Sequence, residues 1–306
     1  MLFEAEDVPR LVSFETDEEE TTFEEDEMDF LLFTRLSDAR EVMFSLIYAE
    51  SVPVDLMLKI IEDFGEDLQS CIDEEREYEM DEVIDGYREK VAQCIKHYGT
   101  VDKGAGFSER LWIDQRDADG SRTDSGKSGN LWTDDDAGRD DLNDRTSGPG
   151  RFESRMEEFR VLTSLELLRP EWGELLLDVL DRLYSEGEEA YLEKVETFER
   201  TWGSRAEDPF VRNRWSLICR KLMFFFIHTY FCGAVYDAWP AAKTRMAAFS
   251  VRWIMELLMY RFHANGGVLT DRDVIEMAWR YAREVEHSDQ NRDILDEALD
   301  RAKEET

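Results

Sequence analysis

Between residues 30 and 100 apolar side chains recur three and four positions apart, the spacing that gathers them on one helix face. Ser37 is a candidate N-cap for LSDAREVMFSLIYAES, where Val42, Phe44, Leu46 and Ile47 form the stripe. Pro53 suits the first turn of a second helix carrying Leu56, Ile60, Ile61, Phe64 and Leu68 on one side. Met80, Val83, Ile84, Tyr87, Val91 and Ile95 predict a third, stopped by Gly99.

From 101 to 150 the periodicity stops. Eight of the seventeen glycines fall there, so the segment is expected to be a long disordered insertion between two helical halves. Inside it, GSRTDSGKSG (120–129) imitates a phosphate-binding loop. Five residues rather than four separate Gly120 from Gly126, and no apolar strand precedes it, so no nucleotide site is expected.

Helical spacing resumes in 152–168, in 170–184 behind Pro170, and in 189–202, 210–236 and 241–262. Asn265-Gly266-Gly267 makes a turn, and Thr270 with Asp273 resembles a capping box opening a last helix over 271–300. No segment of any length alternates with period two. The expected fold is all-α, a helical bundle in two halves (30–100 and 151–306). Thirteen aromatic residues crowd 210–262, marking those two helices as the central pair of the core.

Charge narrows the function classes. Asp plus Glu is 72 against 37 Lys plus Arg, a formal net charge of −35, which excludes the basic footprint that nucleic acid requires. It also argues against docking on an anionic membrane. With 42% hydrophobic residues a core is still affordable. Residues 15–29 carry ten acidic groups, so 1–29 is expected to be an acidic, mobile N-terminal segment. Only nine of the cations are Lys and twenty-eight are Arg. That balance suits a halophile's salt-rich cytosol, where screening suppresses carboxylate repulsion. An acidic surface shaped for a cationic partner is the other reading. The first residues lack a positive n-region, and the uncharged stretch Leu222–Tyr236 is short for a bilayer span. A cytoplasmic chain is expected. Cys71, Cys94, Cys219 and Cys232 have no zinc-ligand spacing, which predicts buried free thiols and no metal site.

The densest polar signal is AWRYAREVEHSDQN, 278–291. Val274, Ala278, Tyr281 and Val285 are its expected buried stripe. Arg283, Glu286, His287 and Gln290 share another face, within reach of one another. An imidazole between an arginine and carboxylates can shuttle protons near neutrality. On spacing alone, a knot of ion pairs and hydrogen bonds tying this helix to the bundle is the favoured reading. His228 and His263 read as core residues and His97 as a helix C-terminal cation.

YAREVEHSDQN resembles the C-terminal signature of the flagellin lysine-N-methylase family, through Arg283, Glu284, Val285, Glu286, His287, Ser288 and Asn291; Ala282 stands where serine is usual. PFVRNRWSLICRKLMFFFIHTYF, with Asn213, is similar to the family's aromatic helix, and the hairpin around Arg40 to its mid-chain helices. The resemblance implies methyl transfer from S-adenosylmethionine to a lysine amine of a flagellar filament protein, with Arg283, Glu286 and His287 as the candidate catalytic residues. Family members begin with a cysteine-rich region, which the resemblance implies is an iron–sulfur site. No such ligands occur in this sequence, and no glycine-rich strand-to-helix turn marks a methyl-donor site. A non-catalytic helical binding or scaffold module that kept the family bundle is the alternative.

Overall fold

The first helix, α1 (Phe30–Tyr48), starts well before Ser37. Its N-cap is Asp29, whose Oδ1 accepts the Leu32 N–H at 2.9 Å. Such a cap contributes about 0.5–2 kcal/mol. Leu32 and Leu36 are buried, so the apolar face continues upstream and carries the helix with it. Ser37 therefore sits mid-helix, its hydroxyl 4.0 Å from Cys232 Sγ. The computed structural model describes residues 29–99, 151–203, 214–286, 291 and 295. Most of the acidic segment, the 101–150 insertion, Asn213, His287 and Gln290 lie outside the described residues.

Then follow α2 (Val54–Asp73), directly after Pro53, and α3 (Met80–Gly99). The second half holds α4 (Arg151–Ser164), α5 (Pro170–Tyr184) and α6 (Glu188–Phe198), which runs into a π turn at Glu199–Gly203. After α7 (Arg214–Tyr230), a tight 3-10 turn at Phe231–Gly233 and the short α8 (Ala234–Asp237) interrupt the single helix that the pattern predicts. The long α9 (Pro240–Ala264) and α10 (Asp271–Tyr281) complete the order, with a second π turn at Ala282–Glu286. There is no strand among the described residues, so the all-α expectation holds.

Most side chains of α9 are buried, which makes it the axis of the bundle. The aromatic pattern pairs it with α7, and the two do pack, but its most extensive neighbour is α2 from the other half. Gly65 lets α2 approach there, since it faces Thr244 with no room for a side chain. Ion pairs cross the same seam. Arg252 of α9 binds Glu62 of α2 through both terminal nitrogens, at 3.1 and 2.9 Å, and Glu158 of α4 through Nε at 3.1 Å. Burial disfavours that guanidinium's charge, but Glu158 and Glu62 outweigh it and hold its pKa above the ordinary arginine value. Trp253 Nε1 donates to the Glu158 carbonyl at 2.9 Å, so α4 is held by backbone as well as side chain.

Arg220 of α7 is fully buried, and its hydrogen bonds among the described residues go to backbone carbonyls and uncharged side chains. Its Nη1 donates to the carbonyls of Ile47 at 2.9 Å and Leu46 at 3.3 Å, its Nη2 to Val52, and its Nε to Ser216 Oγ at 3.1 Å. It thus caps the C-terminal end of α1, where a cation complements the helix dipole. Burial pushes its pKa down to about 10, still protonated near neutrality.

The stretch Arg214–Asp237 is, with hydropathy 1.3, long and apolar enough to cross a bilayer, more than the uncharged run alone indicates. Here 61% of its most apolar window is buried inside the bundle, where Ile218, Leu222, Met223, Phe226 and Ile227 join the core. Cys71 and Cys219 are buried free thiols as the sequence suggests, while Cys94 and Cys232 are half-buried.

Candidate functional site

Thr270 opens the signature helix as its spacing predicts. Its Oγ1 accepts the Asp273 N–H at 3.3 Å, and the Asp273 carboxylate takes the Thr270 N–H at 2.9 Å. The inward stripe follows, with Val274, Met277, Tyr281 and Val285 buried and Ala278 half-buried. Tyr281 Oη lies 2.7 Å from Ser250 Oγ of α9, and Arg261 of α9 binds Asp273 at 3.0 Å and Glu276 at 3.3 Å. These contacts fix the rotation of α10 on α9, and with it everything that follows.

Beyond Tyr281 the helix widens into the π turn Ala282–Glu286, an irregularity frequent at functional sites. Here Arg283, a candidate from the sequence, is half-buried. Its Nε and Nη2 both donate to Glu284 Oε1, at 3.0 and 2.8 Å, and its guanidinium lies over the Trp279 ring, 4.4 Å from the centroid. The indole beneath is 56% exposed, so the fixed cation sits at the protein surface and can meet an incoming group. Of the other two candidates, Glu286 closes the π turn with its backbone. Its side chain and the whole of His287 lie outside the described residues, so their geometry relative to Arg283 is not part of the described site.

The residue that spacing alone passes over is Glu284. Its side chain is wholly buried, a rare state for a carboxylate. Arg283 and, at 3.9 Å, Arg169 flank Oε1, while Oε2 has no hydrogen-bond partner among the described residues. A signal was available: Glu284 falls three residues after Tyr281 and seven after Met277, on the flank of the apolar stripe, with an arginine beside it. Asn291, part of the signature, is buried as well. Its Nδ2 donates to the carbonyls of Glu284 at 2.9 Å and Glu166 at 3.0 Å, and its Oδ1 accepts the Glu166 N–H at 2.7 Å. One amide thereby clips the α4–α5 connection to the π turn. The arrangement can hold a guanidinium rigidly beside a buried negative charge.

The remaining histidines separate from this region. His263 bonds the Lys194 carbonyl at 3.0 Å, a satisfied position as expected. His228 is exposed rather than in the core, its ring stacked on Phe224 at 5.6 Å, because the outer side of α7 turns to solvent near its end. His97 lies in the last turn of α3. Among the described residues no group of three or more His, Cys, Asp or Glu is placed to hold a metal ion.

No curated protein and no solved structure matches the chain. Residues 147–305 match the family described as FliB lysine N-methylase C-terminal domain. That range spans more than half of the 306 residues and takes in α4 through the π turn and Asn291, so the bundle axis, the buried carboxylate and the asparagine clip all fall inside it. By its C-terminal domain the chain belongs to the FliB lysine N-methylase family.

Proposed function

We propose that the chain acts in lysine N-methylation of a filament protein, with the segment around the π turn as the place where the substrate amine is prepared. The observation that supports this most is the buried Glu284 holding Arg283 against Trp279 within the family's matched range. A lysine amine is protonated near neutrality and is nucleophilic only after that proton leaves. Glu286 and His287, next in sequence, are of the residue types that accept a proton there.

S-adenosylmethionine, which the family name suggests, supplies a methyl group on a sulfonium centre. The described residues do not fit the usual doubly wound site for such a nucleoside, because they contain no strand and no glycine-rich turn entering a helix from one.

Mass spectrometry of filament-protein lysines, with and without the gene, is the test. Methyl-lysine should disappear with the gene, and also in His287→Ala or Glu286→Gln at an unchanged melting temperature. Methyl-lysine persisting without the gene would overturn the proposal. A second reading, a non-catalytic scaffold, is favoured by the way Asn291 and Glu284 direct their bonds inward. On that reading the same substitutions lower function only in proportion to the folded fraction.

A further inference from the structure

Large apolar side chains stand exposed on both sides of the seam between α5 and α10. On α5, Gly173 and Leu177 fall one turn apart on the same face. Leu167 of the α4–α5 connection folds over that glycine, since a Cβ there would lie 2.9 Å from Leu167 Cδ1. Leu167 and Leu177 therefore form one ridge, 50% and 68% exposed, with the exposed Leu168 next in sequence. Across the seam, Ile275 and Trp279 make a second exposed ridge, again one turn apart. The two ridges join where Arg169 and Arg283 both approach Glu284. Asn291 pins the Glu166 backbone there, so the surface is held in shape before anything covers it.

Size and charge together say what covers it. Five large side chains, each about half exposed, present on the order of 500 Å2 of apolar surface. A standard interface takes about 800 Å2 from each partner, and a homodimer's is about 65% apolar, so the patch meets what a stable dimer needs. The charges are arranged about a centre. Arg169, its side chain 53% exposed, stands immediately before α5. Asp181 lies on the Leu177 face one turn further on, exposed and with no ion pair among the described residues. Opposite charges at the two ends of one apolar face complement that same face turned end for end. An acidic partner would suit only Arg169, and a basic one only Asp181.

We infer that this face is a contact between two copies of the chain, α5 packed antiparallel on α5 about a two-fold axis near Leu175. That register sets Arg169 of each copy against Asp181 of the other, and Leu177 against the step formed by Leu167 and Gly173. Glu174, exposed on the same face, comes nearest the axis, where the two copies repel until salt screens them. Trp279 lies at the border of the contact, so the π turn of each copy opens on the crevice between them. The inference goes beyond the methylation reading and does not depend on it.

Sedimentation velocity of the full chain, over a range of protein concentrations and from dilute buffer to molar potassium chloride, tests the contact. A dimer should form as concentration rises and tighten with salt, as repulsion across the axis is screened. Leu177→Asp, at an exposed side chain, should weaken dimerisation about a hundredfold, because a two-fold contact carries the change twice at about tenfold each. Arg169→Asp and Asp181→Arg should each weaken it too. Combined, they should recover most of the loss, which the antiparallel register alone explains. Circular dichroism checks that every variant keeps its helices. If Arg169→Asp fails to fold, Asp181→Arg at its exposed position reads the same contact by itself. A chain monomeric throughout, a dimer indifferent to Leu177→Asp or Asp181→Arg, or a double exchange no better than the single ones would overturn the inference. Filament methylation takes no part in the readout, so the two readings fail separately.

Discussion

Gly65 and Thr244 meet so closely that a Cβ on the glycine would lie 1.9 Å from Thr244 Oγ1. The threonine has little freedom to yield, being fully buried with its hydroxyl donated to the Ala241 carbonyl at 3.0 Å. Gly65→Ala should therefore force α2 from α9 and lower stability by about 1–3 kcal/mol, the usual cost of overpacking. Thermal melts give the measurement, and Thr244→Ala added to Gly65→Ala should recover part of the loss. A variant melting like wild type would mean that the two helices tolerate a wider separation.

The capping box of α10 gives a pH dependence with a definite sign. Burial raises the Asp273 pKa, but hydrogen bonds from Thr270 and Arg261 prevail and hold it below the ordinary carboxylate value. The folded state therefore keeps this group ionised where the unfolded chain begins to protonate. Its stabilisation is complete above the unfolded pKa and is lost as pH falls through the depressed folded value. Asp273→Asn should melt lower than wild type at neutral pH, with the gap closing in acid. A gap that stays constant as pH falls through the carboxylate range would refute this assignment.

Salt should act in the opposite sense to its effect on a protein held by surface ion pairs. With a net charge of −35, self-repulsion is the larger exposed electrostatic effect, and counterions relieve it. The melting temperature is expected to climb from dilute buffer to molar sodium or potassium chloride. A flat or falling curve would count against the salt-rich setting.

Much of the helix pattern is legible in the sequence because burial and periodicity coincide. Ile60, Ile61, Phe64 and Leu68 are buried together, and Thr270 caps where its spacing places it. Three features are not legible this way, each because a distant partner decides it. Asp29 replaces Ser37 as a cap because Leu32 and Leu36 find a core to enter. Arg220 looks like any charged residue in a helix, yet its partners are carbonyls about 170 residues away, among them Ile47 and Val52. Glu284 shows in the sequence only its place on the flank of the stripe beside Arg283, and its burial depends on packing that also brings Arg169, more than a hundred residues upstream, to its side. Of the candidate site, periodicity points to α10 and Arg283, while the family signature supplies Glu284 and Asn291.

The crossing of α2 and α9 makes the folded unit larger than the matched range. The family range begins at residue 147, yet the face of α9 opposite Gly65 is closed by a helix that ends at Asp73. Excised on its own, the stretch 147–305 would carry an open oily seam along its central rod.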